Sequence, residues 1–268
     1  MSGTRSSLCV LVSVALVLVL AGCEAFDRKA TAEYEEAMKV WNSGNHRAAN
    51  VQFTELAKAH PFSPHADNAL YWVGMTQFLY LGETDKALTT LNLVLKKYPH
   101  RDSAPSAQLV IAQIYELGYN DYPRAADEYR KAADYSDREV REKSLYSLGE
   151  LLSRMGKQDE AKEAWLRQTK EFPAGALAPP ANYRLGTAAF AQGDLAGAER
   201  YYRKTLDAGP EPDLTLKAKY ALANCLEADE RLTDALKLYK ELEPLYPNRE
   251  ALDIKIKALE TRIIKKSY

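Results

Sequence analysis

Side chains able to do chemistry are few and scattered. The four histidines, His46, His60, His65 and His100, fall in turns or in the links between apolar-periodic segments. His60, His65 and His100 sit at the first two inter-repeat junctions, where they could approach each other and raise the idea of a zinc site. No cysteine or carboxylate pattern at ligand spacing joins them, so they read as surface loop histidines. There is no glycine-rich phosphate loop, no G-x-S-x-G, and no nucleophile with a base at motif spacing. Paired carboxylates such as Glu35 and Glu36 read as helix surface charges. The expectation is a protein that is not an enzyme and uses no metal, cofactor or small-molecule substrate. Lysine and arginine number 36 against 37 aspartates and glutamates, a balance that leaves no footprint for nucleic acid.

One cysteine stands apart by its setting. Arg5 is the only charge before residue 24, and Leu8 to Leu20 form an apolar run too short for a stable span. The run ends in Leu20-Ala21-Gly22-Cys23, which resembles the lipobox of bacterial lipoproteins. That resemblance implies a signal peptide at 1–22 and a diacylglycerol thioether on Cys23. It also implies a short lipidated tether at 23–29. Several acyl chains on one cysteine give stable attachment where a single chain is marginal. Glu24 follows the cysteine in place of the aspartate that retains some lipoproteins at the inner membrane. The expected location is therefore the outer membrane, facing the periplasm. Of the remaining cysteines, Cys9 leaves with the signal and Cys225 sits among Leu222, Ala223 and Leu226 as a small core residue.

The other candidates are tyrosines. Tyr34, Tyr71, Tyr146, Tyr183 and Tyr220 each lie three residues before a small residue, and Leu109 holds the same place in the one exception. The small residues are Ala37, Gly74, Ala112, Gly149, Gly186 and Ala223, at steps of 37 or 38. A second series runs Ala49, Ala87, Ala125, Ala161, Ala198 and Ala235. Four residues after each alanine comes a bulky partner: Phe53, Leu91, Tyr129, Trp165, Tyr202 or Tyr239. Prolines close five of the six units, at Pro61, Pro99, Pro173, Pro210 and Pro247. Two antiparallel helices approach closely only where small side chains face each other, and a bulky residue one turn on fills the space left. Such a pair cannot bury its apolar face alone, so units stack.

The pattern resembles the tetratricopeptide repeat (TPR), with a period slightly above the usual ~34 residues. It predicts an all-α chain: an α-solenoid of about six helix pairs over 30–250, then a capping helix at 251–268. Leu252, Ile256, Leu259 and Ile263 form the apolar stripe of that helix. The third unit departs from the pattern. Its turn reads as a longer stretch, Gly118 to Pro123, and Tyr135-Ser-Asp137 replaces the closing proline. A change of curvature or a hinge between two halves is expected there.

In TPR proteins the ladder position faces the concave groove, so the tyrosines suit extended peptides or partner helices. The competing reading is that they pack between repeats with only their rims exposed. Trp41, Phe78 and Phe190 are further groove candidates. With the lipobox and the His60-Pro-Phe-Ser-Pro-His65 link, the long-period repeats resemble the BamD-like outer-membrane assembly lipoproteins. That family has five repeats where six are counted here. The resemblance implies a periplasmic scaffold working with a barrel insertase and β-barrel precursors. The alternative is a lipoprotein of another envelope system: Tol-Pal and peptidoglycan coordination, pilus or secretin assembly, or polysaccharide export.

Overall fold

The computed structural model describes residues 28–266, and all regular structure in them is helical. Cys23, the signal segment and most of the tether lie outside the described residues. The chain divides between Tyr135 and Ser136 into two compact units, at the place where the closing proline is missing.

The first unit holds three helix pairs. They are α1 (28–42) with α2 (His46–Ala59), α3 (Ala66–Leu79) with α4 (Thr84–Lys97), and α5 (Ser103–Gln113) with α6 (Tyr122–Ala133). The second unit holds α7 (Arg138–Arg154) with α8 (Gln158–Glu171), α9 (Ala178–Ala191) with α10 (Leu195–Asp207), and α11 (Pro212–Ala228) with α12 (Leu232–Leu242). The last helix, α13 (Arg249–Lys266), packs on α12 and buries Leu252, Ile256 and Leu259. Within each unit the second helix of a pair also packs on the first helix of the next, which is the stacking that a repeat solenoid requires.

The small and bulky positions meet as their spacing predicts. A Cβ added at Gly74 would lie 2.6 Å from Leu91 Cγ, one at Gly149 2.3 Å from Trp165 Nε1, and one at Gly186 2.7 Å from Tyr202 Cδ1. No side chain fits there, so glycine sets the helix separation in these three pairs. Asn45, Asp121 and Asp194 cap α2, α6 and α10 by accepting from Ala48, Arg124 and Gly197 backbone N–H groups.

Turns between paired helices need one residue at positive φ. Gly44, Gly82, Gly156 and Gly193 supply it in four of them, and Asn120 (φ 54°) and Glu230 (φ 60°) take the place in the third and sixth. The third turn is therefore not a longer loop. The extra residue is absorbed by widening the end of α5 into a π turn at Ile114–Gly118, where Tyr119 N–H reaches the Ile114 carbonyl.

Buried carboxylates tie successive pairs together. Glu142 on α7 accepts from Leu177 N–H (2.8 Å), at the start of α9, and from Gln168 Nε2 (3.2 Å) on α8. Asp67 holds the equivalent place on α3 and accepts from Ser103 N–H at the start of α5. Each satisfies a helix N-terminus that would otherwise be buried without a partner.

Candidate functional site

All five ladder tyrosines are half-buried, and each lies on the first helix of its pair. In three units the ring lies against the bulky residue of its own repeat. The centroid distances are 5.7 Å for Tyr34–Phe53, 5.9 Å for Tyr183–Tyr202 and 5.8 Å for Tyr220–Tyr239. The ladder is thus part of the packing of each pair. What differs from one repeat to the next is the fate of the outer edge.

Between α1 and α3 the edge is closed. Trp72, one residue past the next ladder tyrosine, donates from Nε1 to the Tyr34 hydroxyl (3.0 Å) and packs on Trp41 (4.7 Å) and Phe53 (6.3 Å). His65 stacks on the other side of Tyr34 at 4.8 Å. Burial raises the Tyr34 phenol pKa, against the hydrogen bond from Trp72, so the phenol stays protonated. Tyr71 turns its hydroxyl to Met75 Sδ (3.3 Å). Between α7 and α9 the corresponding residue is Arg184. It bonds to Tyr146 and pairs with Glu150 (2.6 Å). Burial raises the Tyr146 phenol, with Glu150 adding to it.

Between α9 and α11 the corresponding residue is Ala221, and the edge is open. A cavity of about 340 Å³ lies there, walled by Tyr183, Phe190 and Tyr202 on one side and by Leu216, Tyr220 and Ala221 on the other. Thr187, Lys217, Asn224 and Tyr246 complete it. Tyr220 and Tyr246 stack at 4.9 Å and form a flat aromatic wall. Burial pushes up the phenols of Tyr202 and Tyr246, so these two stay protonated across the neutral range. Tyr239 behind it is 2.8 Å from Asn224 Oδ1 and 3.0 Å from Glu227 Oε2. Asn224 keeps two N–H donors and a second carbonyl lone pair for an occupant. Lys217 at the rim is held by Asp213 (2.6 Å). The chemistry is that of a recognition pocket: apolar and aromatic walls, with a few donors to fix orientation.

Of the other groove candidates, Phe190 lines this cavity, Trp41 is covered by Trp72, and Phe78 packs against the α4–α5 core. Ala221, Leu216, Asn224 and Tyr246 were missed by the ladder argument. The signal for Ala221 was present as a series, because Trp72, Arg184 and Ala221 each follow a ladder tyrosine.

Two histidines also depart from the surface-loop expectation. His60 is only 4% exposed and lies 3.0 Å from Glu33, and His65 is 3.0 Å from Thr31 Oγ1. His60 is buried and His65 half-buried because α1 folds over the first inter-repeat link. Among the described residues, no group of three or more His, Cys, Asp or Glu side chains is placed to hold a metal ion. Cys225 is buried as expected. Its thiol donates to the Leu195 carbonyl, and burial raises its pKa. No helix among the described residues is long and apolar enough to cross a membrane.

These features define a helical-hairpin repeat protein with an open, aromatic-walled cavity between α9 and α11. Two family models assign the repeat: both are tetratricopeptide-repeat models, one matching residues 146–211 and 183–250 and the other residues 68–100. The chain therefore carries tetratricopeptide repeats. No curated protein matches it in sequence. Among solved structures it is similar to Pseudomonas aeruginosa pilF, with a TM-score of 0.62 at 16% identity, over 86% of this chain and 99% of that one. It is also similar to PilW, described as a widely conserved type IV pilus biogenesis factor, with a TM-score of 0.56 at 16% identity, over 83% and 97% of the two chains. A third likeness is to the C-terminal part of a TPR protein from Cytophaga hutchinsonii, with a TM-score of 0.60 at 17% identity, over 78% and 77%. At these identities the likeness is one of fold.

Proposed function

We propose that this protein is a scaffold of the bacterial cell envelope, anchored by lipid at Cys23 to the outer membrane and facing the periplasm. It holds partner proteins by an extended segment laid along the first helices of its second unit. The observation that carries the reading is the open cavity between α9 and α11, where Ala221 stands in place of Trp72 and Arg184. A buried aromatic or aliphatic anchor in such a pocket is the usual source of most binding energy in a small interface.

Two assembly systems supply concrete partners. The lipobox and the His60–His65 link support a barrel-insertion scaffold that works with an insertase and β-barrel precursors. The fold shared with pilF and PilW over nearly the whole of those chains supports a pilus-assembly role. The test is a mild-detergent pull-down of the tagged, lipidated protein with mass spectrometry of what co-purifies. An insertase supports the first system, and pilus or secretin components support the second. Recovery of neither, from cells producing both, contradicts an envelope assembly role.

A further inference from the structure

The end of the first unit at which the chain enters carries an unusual surface. Two contacts fix which end this is: His60 Nε2 lies 3.0 Å from Glu33 Oε2, and Thr31 Oγ1 lies 3.0 Å from His65 Nε2. The start of α1 is thus beside the first inter-repeat link. The second link joins the same end, because the Tyr98 hydroxyl donates to the Pro61 carbonyl at 2.7 Å. The hairpin turns at Gly44 and Gly82 lie at the opposite end, about 20 Å away at 1.5 Å per residue along α1.

Phe62 protrudes from this entry end. It is 89% exposed, more than any other large apolar side chain among the described residues. It borders an open cavity of about 670 Å³ lined by Pro61, Lys97, Tyr98, Pro99, His100 and Arg101. Lys96, Lys97 and Arg101 are exposed, and none makes an ion pair within the described residues. Asp102 is the one acid adjoining them in sequence. The exposed ring leaves apolar surface in water, and the cations beside it are free to meet an anionic surface. The same set matches a membrane interface, where the ring enters the headgroup–acyl boundary and the cations meet anionic headgroups.

Chain length brings that interface within reach. Cys23 precedes Arg28 by five residues, which span at most about 18 Å when extended. We infer that Phe62, with Lys96, Lys97 and Arg101, seats the entry end of the first unit on an anionic bilayer surface. The hairpin turns at Gly44 and Gly82 then point away from the membrane. This inference rests on the lipid anchor at Cys23.

The experiment uses the full lipidated protein reconstituted in phosphatidylethanolamine–phosphatidylglycerol vesicles. It carries a C225A background and one environment-sensitive label, at F62C or, as the distal control, at S43C. The expected result is blue-shifted emission at position 62, quenched by lipid-borne quenchers several-fold more than at position 43. That difference should be lost in K96E/K97E/R101E and in vesicles of phosphatidylcholine alone. Protein that floats with the vesicles while position 62 stays as wet as position 43 overturns the inference and leaves the lipid anchor standing. Wild-type protein that does not float overturns both. A label shielded in native envelope membranes but wet in the vesicles assigns this edge to a protein partner and also overturns it.

Discussion

Replacing Ala221 by tryptophan should close the cavity between α9 and α11 with a side chain the fold already accepts elsewhere. Trp72 occupies the equivalent place between α1 and α3, packed on Trp41 and Phe53 and bonded to Tyr34. Phe190, Tyr202 and Tyr183 stand at the matching positions around Ala221. An aromatic anchor seated in this 340 Å³ space removes ~150 Å² of apolar surface from water, worth about 4 kcal/mol at 25 cal/mol/Å². Ordering and desolvation costs reduce that to a net of about 2 kcal/mol, the scale of an interface hot spot. A221W should therefore weaken the partner recovered by pull-down about 30-fold. Titration of that partner by calorimetry, with thermal unfolding of both proteins alongside, reads the effect. The melting temperature should move by only a few degrees, since the added ring fills empty space and tryptophan costs ~0.5 kcal/mol against alanine in a helix. Equal affinity for a folded A221W would refute the pocket as the binding site. If A221W does not fold, A221R is the second variant, because Arg184 already reaches Tyr146 from the equivalent place.

Further outcomes follow from the packing. Gly149→Ala should destabilise the protein by about 1 kcal/mol in urea unfolding, because the clash with Trp165 outweighs the better helix propensity of alanine. Glu142→Ala should cost about 2 kcal/mol by the same assay, since it leaves Leu177 N–H and Gln168 Nε2 without their buried acceptor. At Glu171 burial opposes ionisation, but hydrogen bonds and charge from Arg167 and Arg141 prevail and hold the carboxyl below its usual range. A depressed folded-state pKa contributes stability that is present above the unfolded value of about 4.3 and is lost as pH falls through the folded one. Arg141→Gln should therefore flatten the acid limb of stability against pH and cost less than about 1 kcal/mol at neutral pH, the pair being partly exposed.

The helix pairs were legible because one constraint repeats six times. Gly74, Gly149 and Gly186 announce close approach, and Leu91, Trp165 and Tyr202 stand where the approach occurs. The third unit was harder to read. Its turn residue, Asn120, lies eight residues past Ala112 where the later units use seven, and the extra residue disappears into a π turn that no local preference marks. The ladder tyrosines form one class in sequence, yet only Tyr183 and Tyr220 line the open cavity. What separates them is the next repeat: Trp72, Arg184 and Ala221 differ in size, and that becomes informative once the reach of a ladder hydroxyl is known. His60 was misread for a similar reason. Its segment looks like a loop, and its burial comes from Glu33 and the rest of α1, 27 residues earlier.

The central claim is that a partner protein occupies the concavity of the second unit. Photo-crosslinking in living cells from a benzoylphenylalanine at position 190, on the cavity rim, tests it most directly. The control is the same residue at position 237, exposed on α12. The account predicts a discrete adduct from position 190 that contains an envelope assembly protein, that A221W abolishes, and that position 237 does not form. Adducts from position 237 alone, or adducts from position 190 that persist in A221W, would contradict it.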